Sequence, residues 1–213
     1  MNNLEKYIED FSAPLPEALA WLERQTHLRT NYPHMLCGQE VGRLLGMMVR
    51  MLAPKRVLEI GTFTGYSAIC LAAALPEGAQ LDALEINDEL EDLIREGFAR
   101  AGVADRICLH FGDALQLLPA LPESAYDLVY LDANKREYPA YLPLILRCLR
   151  EGGYLVADNV LWGGKVCDDS SKDTGQTRGI LDFNAAVAAD PRLENFILPL
   201  RDGLNIIRLR LSK

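Results

Sequence analysis

The sequence predicts an α/β fold: a doubly wound, mostly parallel sheet preceded by a helical segment. Three observations predict it. Residues Val57 to Ser67 (Val-Leu-Glu-Ile-Gly-Thr-Phe-Thr-Gly-Tyr-Ser) read as strand, glycine turn and helix opening, the first unit of such a sheet. Short apolar runs then alternate with helical patterns, which implies parallel strands joined by right-handed crossovers. Finally, Arg201-Asp202-Gly203 separates two strand patterns, a hairpin signal that turns one strand antiparallel.

The elements follow in order. Residues 1–53 read as helical. Leu15, Ala18, Leu19 and Leu22 share one face after Pro14 and Pro16, and Asn31-Tyr32-Pro33-His34 breaks that helix. A second helix over Gln39–Leu52 carries Val41, Leu44, Leu45, Met48, Val49 and Leu52 on one side, with Met47, Met48 and Met51 expected to fill core. Residues 54–213 form the sheet region. Strands are expected at Arg56–Ile60, Gln80–Glu85, Arg106–Phe111, Tyr126–Leu131, Tyr154–Ala157, Phe196–Leu200 and Leu204–Leu209. Helices are expected at Ser67–Leu75, Asp88–Ala101, Ala114–Leu121, Tyr138–Arg150 (stopped by Gly152-Gly153) and Thr177–Ala189. Trp162–Gln176, polar and glycine-containing, reads as a mobile loop.

Composition narrows the function. A chain of 213 residues with 49% apolar and 24% charged residues suits one soluble domain. A net charge of −8 weighs against a polyanion binder. Five scattered cysteines with no C-x-x-C indicate a reducing cytoplasm, four of them in segments where a thiol packs as a small apolar group. The N-terminus is polar, without a signal-peptide pattern, and no apolar run is long enough to span a membrane.

Ligands of an open α/β sheet collect at the carboxyl ends of its strands. The turn after the first strand lacks the middle glycine of G-x-G-x-x-G, because Phe63 stands where a pyrophosphate needs bare backbone. Gly61 and Gly65 still allow a tight turn and close approach, and Glu59 adds an acid. That combination suits a cationic nucleoside without phosphates, a description that S-adenosylmethionine (SAM) meets. Glu85 closes the second strand, where an acid meets ribose hydroxyls. Asp113, after the third, can face an adenine edge or cap the next helix. Asp132 ends the fourth strand and Asp158-Asn159 the fifth. Two carboxylates and one amide oxygen are hard ligands, too few to close a site, and fit Mg²⁺ (or Mn²⁺ or Ca²⁺) with positions left open. Lys135 follows Asp132 by three residues. Beside a divalent cation its ammonium is disfavoured, so it can act as a base. His27, His34 and His110 show no metal-ligand spacing and receive no role.

With these residues in view, the chain resembles the class I SAM-dependent O-methyltransferases of the catechol and caffeoyl-CoA type. The resemblance is carried by Val57–Ser67, Glu85-Ile86-Asn87, Leu131-Asp132-Ala133-Asn134-Lys135, Asp158-Asn159-Val160-Leu161-Trp162-Gly163-Gly164 and Leu200-Arg201-Asp202-Gly203-Leu204, and runs from about Gln39 to Arg210. It implies a Rossmann-like, seven-stranded sheet whose last strand is antiparallel. It implies a metal on Asp132, Asp158 and Asn159, Lys135 near the reacting hydroxyl with Asp132 beside it, and Glu85 on the SAM ribose. Glu59, Gly61, Thr62, Gly65, Tyr66, Ser67, Asp113, Ala114 and Asp132 become cofactor-pocket positions, and Trp162 and Tyr138 acceptor-pocket positions. Relatives of this kind are usually homodimers. Asn134 departs from a second Asp common in plant members, and Met35-Leu36-Cys37-Gly38 departs in a region that roofs the site; both bear on the acceptor. The expected acceptor is a small catechol-like or phenolic molecule. A hydroxylated base in tRNA is the alternative, with Lys165, Lys172 and Arg178 as phosphate contacts. An NAD-dependent oxidoreductase is disfavoured by Phe63 and by the lack of Tyr-x-x-x-Lys, and a non-catalytic SAM-binding module by the intact Asp132, Asp158, Asn159 and Lys135 set.

Overall fold

The computed structural model describes residues 3–168 and 174–212. Helices α1 (Asn3–Asp10), α2 (Glu17–Arg29) and α3 (Gly38–Leu52) precede the sheet. Then come β1 (Arg56–Ile60), α4 (Tyr66–Ala72), β2 (Gln80–Glu85), α5 (Glu91–Arg100), β3 (Ile107–Phe111), α6 (Ala114–Leu117), β4 (Tyr126–Leu131), α7 (Tyr138–Cys148), β5 (Leu149–Ala157), α8 (Gly175–Ala189), β6 (Leu193–Leu198) and β7 (Leu204–Leu209). The seven strands run in the order β3-β2-β1-β4-β5-β7-β6. Only β7 is antiparallel to its neighbours, pairing with both β5 and β6. The strand order reverses beside β1, where β2 lies on one side and β4 on the other, and the crevice for a ligand opens above that switch point.

Alternation along the strands divides the core in two. Val57, Leu81, Leu128, Tyr130 and Val156 face α2–α5, and Leu58, Ile60, Leu84, Val129 and Leu155 face α7 and α8. Both faces are covered, so the central strands are mainly apolar, with Glu59, Asp82 and Glu85 as the buried acids among them. Leu58 is fully buried, and truncating such a leucine to alanine costs about 2–5 kcal/mol. This rigidity fixes the positions of the strand ends.

Several sequence expectations change, among them the bounds of β6, which runs over Leu193–Leu198 and not Phe196–Leu200. Helix α7 stops at Cys148, and Leu149–Arg150 already belong to β5; the Gly152-Gly153 pair lies inside that strand, at a register irregularity between Tyr126 and Leu128 of β4. Met48 is core, but Met47 and Met51 are 54% and 70% exposed on the outer face of α3. Cys108 is exposed, whereas Cys37, Cys70 and Cys148 are buried, and all five cysteines are free thiols. Of the loop expected over 162–176, Trp162–Cys167 forms 3₁₀ turns kinked at Gly163 and Gly164, Thr174 and the start of α8 complete the described part, and 169–173 lie outside the described residues. Among the described residues no helix is long and apolar enough to cross a membrane.

Candidate active site

The chain after β1 makes the first wall. Gly61 has φ +93°, and a Cβ there would collide with the main-chain carbonyl of Asp132, so glycine lets the ends of β1 and β4 touch. Phe63 takes a left-handed φ of +51°, unusual for a bulky residue. Its N–H donates to Glu85 Oε2 at 2.5 Å, and Asn87 N–H donates to Glu85 Oε1 at 2.9 Å. Both Glu85 oxygens are thereby aimed by backbone donors. Burial nonetheless pushes its carboxyl upward against those bonds. Gly65 (φ +94°) opens α4, and a Cβ there would lie 2.7 Å from the Phe98 ring.

Glu59 is fully buried beneath this turn. One oxygen, Oε2, accepts from Thr62 Oγ1 at 2.8 Å, while Oε1 has no hydrogen-bond partner. Burial pushes its carboxyl up to about 7, opposed by hydrogen bonds from Ser67 and Thr62 and reinforced by Asp132 and Glu85. A buried, half-satisfied carboxyl is costly in the free protein. A cationic ligand on the far side of Thr62 and Ser67 would offset that cost by favouring its ionised form, so the donor set fits a sulfonium nucleoside.

The second wall comes from β4 and β5. Asp158 is 3% exposed; its Oδ2 accepts from Tyr130 Oη at 2.6 Å and its Oδ1 from Asn159 N–H at 2.6 Å. Burial, then repulsion from Asp132, raise its carboxyl to about 6, against the Tyr130 and Asn159 hydrogen bonds and the Lys135 charge. Asn159 holds a left-handed φ of +58°. Lys135, 7% exposed, donates to Asp132 Oδ1 and stands 5.2 Å from the Tyr138 ring centre. Two carboxylates that repel each other beside an amide side chain suit a hard divalent cation, whose charge removes the repulsion.

These walls enclose one cavity of about 790 Å³, a size that takes a nucleoside and a small acceptor together. Of the anticipated cofactor positions, Gly61, Thr62, Tyr66, Ser67, Glu85, Asp113, Ala114 and Asp132 line it. Glu59 and Gly65 support the lining from behind. Asp113 caps α6 by accepting from Leu115 N–H at 2.8 Å, which is the capping reading, and it also lines the cavity. Asp132, Lys135, Asp158, Asn159 and Trp162 share the opposite side.

Tyr138 does not reach the cavity. It is fully buried, and its hydroxyl donates to the carbonyls of Leu131 (3.0 Å) and Asp158 (3.1 Å), pinning the ends of β4 and β5. Tyr141, one turn along α7, lines the cavity instead. Of the three cations considered for a phosphate, Lys165 lies 5.9 Å from the Trp162 ring centre, Arg178 pairs with Asp182, and Lys172 is outside the described residues.

The resemblance put Met35–Gly38 in the roof; sequence reasoning missed the residues that join them there, His34, Arg201 and Asp202. His34, Met35, Leu36 and Cys37 close the cavity with Arg201 and Asp202 from the β6–β7 connection. Arg201 donates to the Cys37 carbonyl, and Asp202 accepts from Gly163 N–H at 2.5 Å. The Arg-Asp-Gly signal identified a turn; nothing local showed that the turn touches residues 164 positions away.

A family model described as O-methyltransferase matches residues 9–210. The chain belongs to the O-methyltransferase family. It is 32% identical over 218 residues to a probable caffeoyl-CoA O-methyltransferase of Arabidopsis thaliana, covering 96% of this chain and 93% of that one. It is 36% identical over 187 residues to tricin synthase 2 of Oryza sativa subsp. japonica; the match covers 83% of this chain but 64% of that protein, less than two-thirds of its length. Among solved structures, the O-methyltransferase TomG of Streptomyces achromogenes, involved in tomaymycin synthesis and solved with SAM, matches with 30% identity and a TM-score of 0.91 over 99% of this chain and 97% of that one. Neither the family nor these relatives support a nucleic-acid acceptor.

Proposed function

We propose that the chain, as one domain over residues 1–213, moves a methyl group from SAM to a hydroxyl of a small catechol-like or phenolic acceptor. The observation that carries this reading is that a single cavity is lined by the Gly61–Ser67 turn and Glu85 on one side and by Asp132, Asp158, Asn159 and Lys135 on the other. In the proposal Glu85 holds the ribose hydroxyls, Asp113 the adenine side, and Thr62 and Ser67, backed by Glu59, the amino-acid end of SAM. Asp132, Asp158 and Asn159 hold one divalent cation, Mg²⁺ in the simplest case. Such a cation supplies Lewis acidity that lowers the acceptor hydroxyl's affinity for its proton.

The reaction is an in-line displacement. The acceptor oxygen forms a bond to the methyl carbon as the sulfur–carbon bond breaks, and S-adenosylhomocysteine leaves. Lys135, as the free amine, takes the hydroxyl proton and becomes the ammonium that pairs with Asp132, since a free phenol titrates near pH 10 and is mostly protonated at neutrality. The close approach of the Gly61 backbone to the Asp132 carbonyl supports this reading, since it would let donor and acceptor be held side by side. Trp162, Tyr141 and the 34–37 roof shape the acceptor space.

Two further parts of the proposal are a homodimer and a cytoplasmic setting. Exposed Met47 and Met51, with exposed Tyr7, Ile8, Phe11 and Met35, form more apolar surface on the N-terminal helices than a monomer needs, and five free thiols suit a reducing compartment. A monomeric mass in sedimentation equilibrium at micromolar concentration would remove the dimer.

The test is methyl incorporation from labelled SAM into a catechol and, in parallel, into total tRNA, with and without chelator. Transfer to the catechol, abolished by chelator and restored by Mg²⁺ or Mn²⁺, is the expected result. Transfer to tRNA alone, or full catechol activity in excess chelator, overturns it.

A further inference from the structure

Outside the cavity, the β2–β3 ladder brings together a second group of ligating side chains. Asp82 is register partner to Cys108, and Leu84 to His110. Leu81, Ile107, Leu109 and Phe111 pack toward one core, so Asp82, Cys108 and His110 share the opposite face. One ligand atom from each (a carboxylate oxygen, a thiol sulfur and an imidazole nitrogen) lies within 4.8 Å of the other two. None of the three residues lines the cavity.

The geometry points to a binding site for one divalent transition-metal ion of the zinc class, held by Asp82, Cys108 and His110 at the edge of the sheet. The donor chemistry separates this site from the hard oxygen set at the strand ends, because thiolate and imidazole select zinc-like ions over Mg²⁺. The spacing is close to what such an ion needs. Tetrahedral bonds of about 2.0–2.1 Å to oxygen and nitrogen place those atoms about 3.3 Å apart, and a sulfur at about 2.3 Å sits about 3.6 Å from either. His110 Nε2 and Asp82 Oδ1 are 2.9 Å apart, so a small outward movement opens the seat.

The surrounding groups orient the carboxylate. Asp82 Oδ2 accepts from Tyr126 Oη at 2.8 Å and from Arg56 Nη2 at 2.8 Å, which leaves Oδ1 turned toward His110. A ligating carboxylate held through its second oxygen is the usual outer-shell arrangement. Asp82 is 8% exposed while Cys108 is exposed, so three ligands come from the protein and a fourth position opens to solvent. Carboxylate and thiolate together supply two negative charges for a divalent ion, and Arg56 sits on the oxygen that the ion does not use. Because β3 is the edge strand, the ion would staple it to β2.

The probe is Co²⁺ added to the full chain, read by the near-ultraviolet charge-transfer band that only thiolate-bound Co²⁺ produces. One equivalent of band is expected, displaced by Zn²⁺, unchanged in Asp158→Ala and in Cys167→Ser. It should be lost in Cys108→Ser, and binding should weaken at least tenfold in His110→Ala. A thermal melt supplies the second readout: Zn²⁺ should raise Tm in Asp158→Ala, where the strand-end oxygen set is broken, but not in the Asp158→Ala/His110→Ala double variant. A band that survives in Cys108→Ser, or no band in the wild type below millimolar Co²⁺, overturns the site and leaves Asp82 and His110 as a hydrogen-bonded pair. Neither result depends on methyl transfer, so the site can fail while the proposed function stands.

Discussion

The two walls of the cavity are made differently. The β1–β2 wall is backbone-built: Phe63 N–H and Asn87 N–H hold Glu85, Leu115 N–H is capped by Asp113, and glycines at 61 and 65 shape the turn. Its acids keep one geometry without any ligand. The β4–β5 wall is side-chain-built: Asp132 and Asp158 repel, Lys135 answers only Asp132 directly, and the roof arrives from two distant loops. A wall fixed by backbone donors suits a cofactor that is always the same molecule. A wall of mutually strained charges over a loop-built roof suits chemistry and a variable acceptor.

Mutations that act on one wall and spare the other test this contrast. The largest effect is expected for Asp158→Ala. Transfer to a catechol should fall by three orders of magnitude or more, with SAM affinity, measured calorimetrically, changed less than twofold. In the wild type Mg²⁺ affinity should weaken as pH drops below about 6, because Asp158 must be ionised to ligate. A comparable loss of SAM binding in Asp158→Ala would mean that the two walls are not separable.

Next is Lys135→Ala, expected to lower kcat by roughly 10²–10⁴-fold if the amine takes the proton. The deficit should shrink at high pH, where a phenol ionises unaided. A pH–rate profile parallel to that of the wild type would reduce Lys135 to a structural partner of Asp132.

The cofactor wall should respond in affinity rather than rate. Glu85→Ala removes a charged acceptor and should weaken SAM by more than about 1.5 kcal/mol, the lower end for a hydrogen bond to a charged group. Unchanged SAM affinity would remove Glu85 from the cofactor site.

The last effect touches stability more than catalysis and is the most particular. Glu59 has a folded value of about 7 against 4.5 unfolded, so the native state holds its proton more tightly. That stabilisation is complete below pH 4.5 and lost as pH rises through about 7. Glu59→Gln should therefore make the ligand-free protein more stable at pH 8, by about 1–3 kcal/mol, and little different at pH 4.5. It should also remove a rise in SAM affinity between pH 5.5 and 7.5, measured in chelator. Denaturation curves that superimpose at both pH values would show that the unpartnered oxygen carries no strain.

What could be read in the sequence follows the same division. Strands β1, β2 and β4 have the bounds expected from the sequence, because burial on both faces makes their interiors mainly apolar. The acids and glycines at their ends were legible because strand order places them. β5 was read five residues short: Gly152-Gly153 looks like a helix stop, and only the pairing of Leu149 with Tyr126 shows that the strand has already begun. Tyr138 and Tyr141 could not be told apart, since one turn of α7 separates a core pin from a cavity residue and the helix phase is set by Phe183 against Tyr138. The place of Arg201 in the roof was invisible because its contact with Cys37 spans 164 positions.

Strand β7 lies between β5 and β6, although it is the last strand described. During synthesis β5 and β6 are therefore made before their shared partner exists, and both keep an open edge until Leu204–Leu209 emerges. Arg201 and Asp202 arrive just ahead of that strand. The cavity roof is thus closed by the same late event that completes the sheet, and a ribosome paused before residue 204 holds a chain with neither. Folding of the cofactor wall can run ahead of translation's final steps; the acceptor side must wait for them.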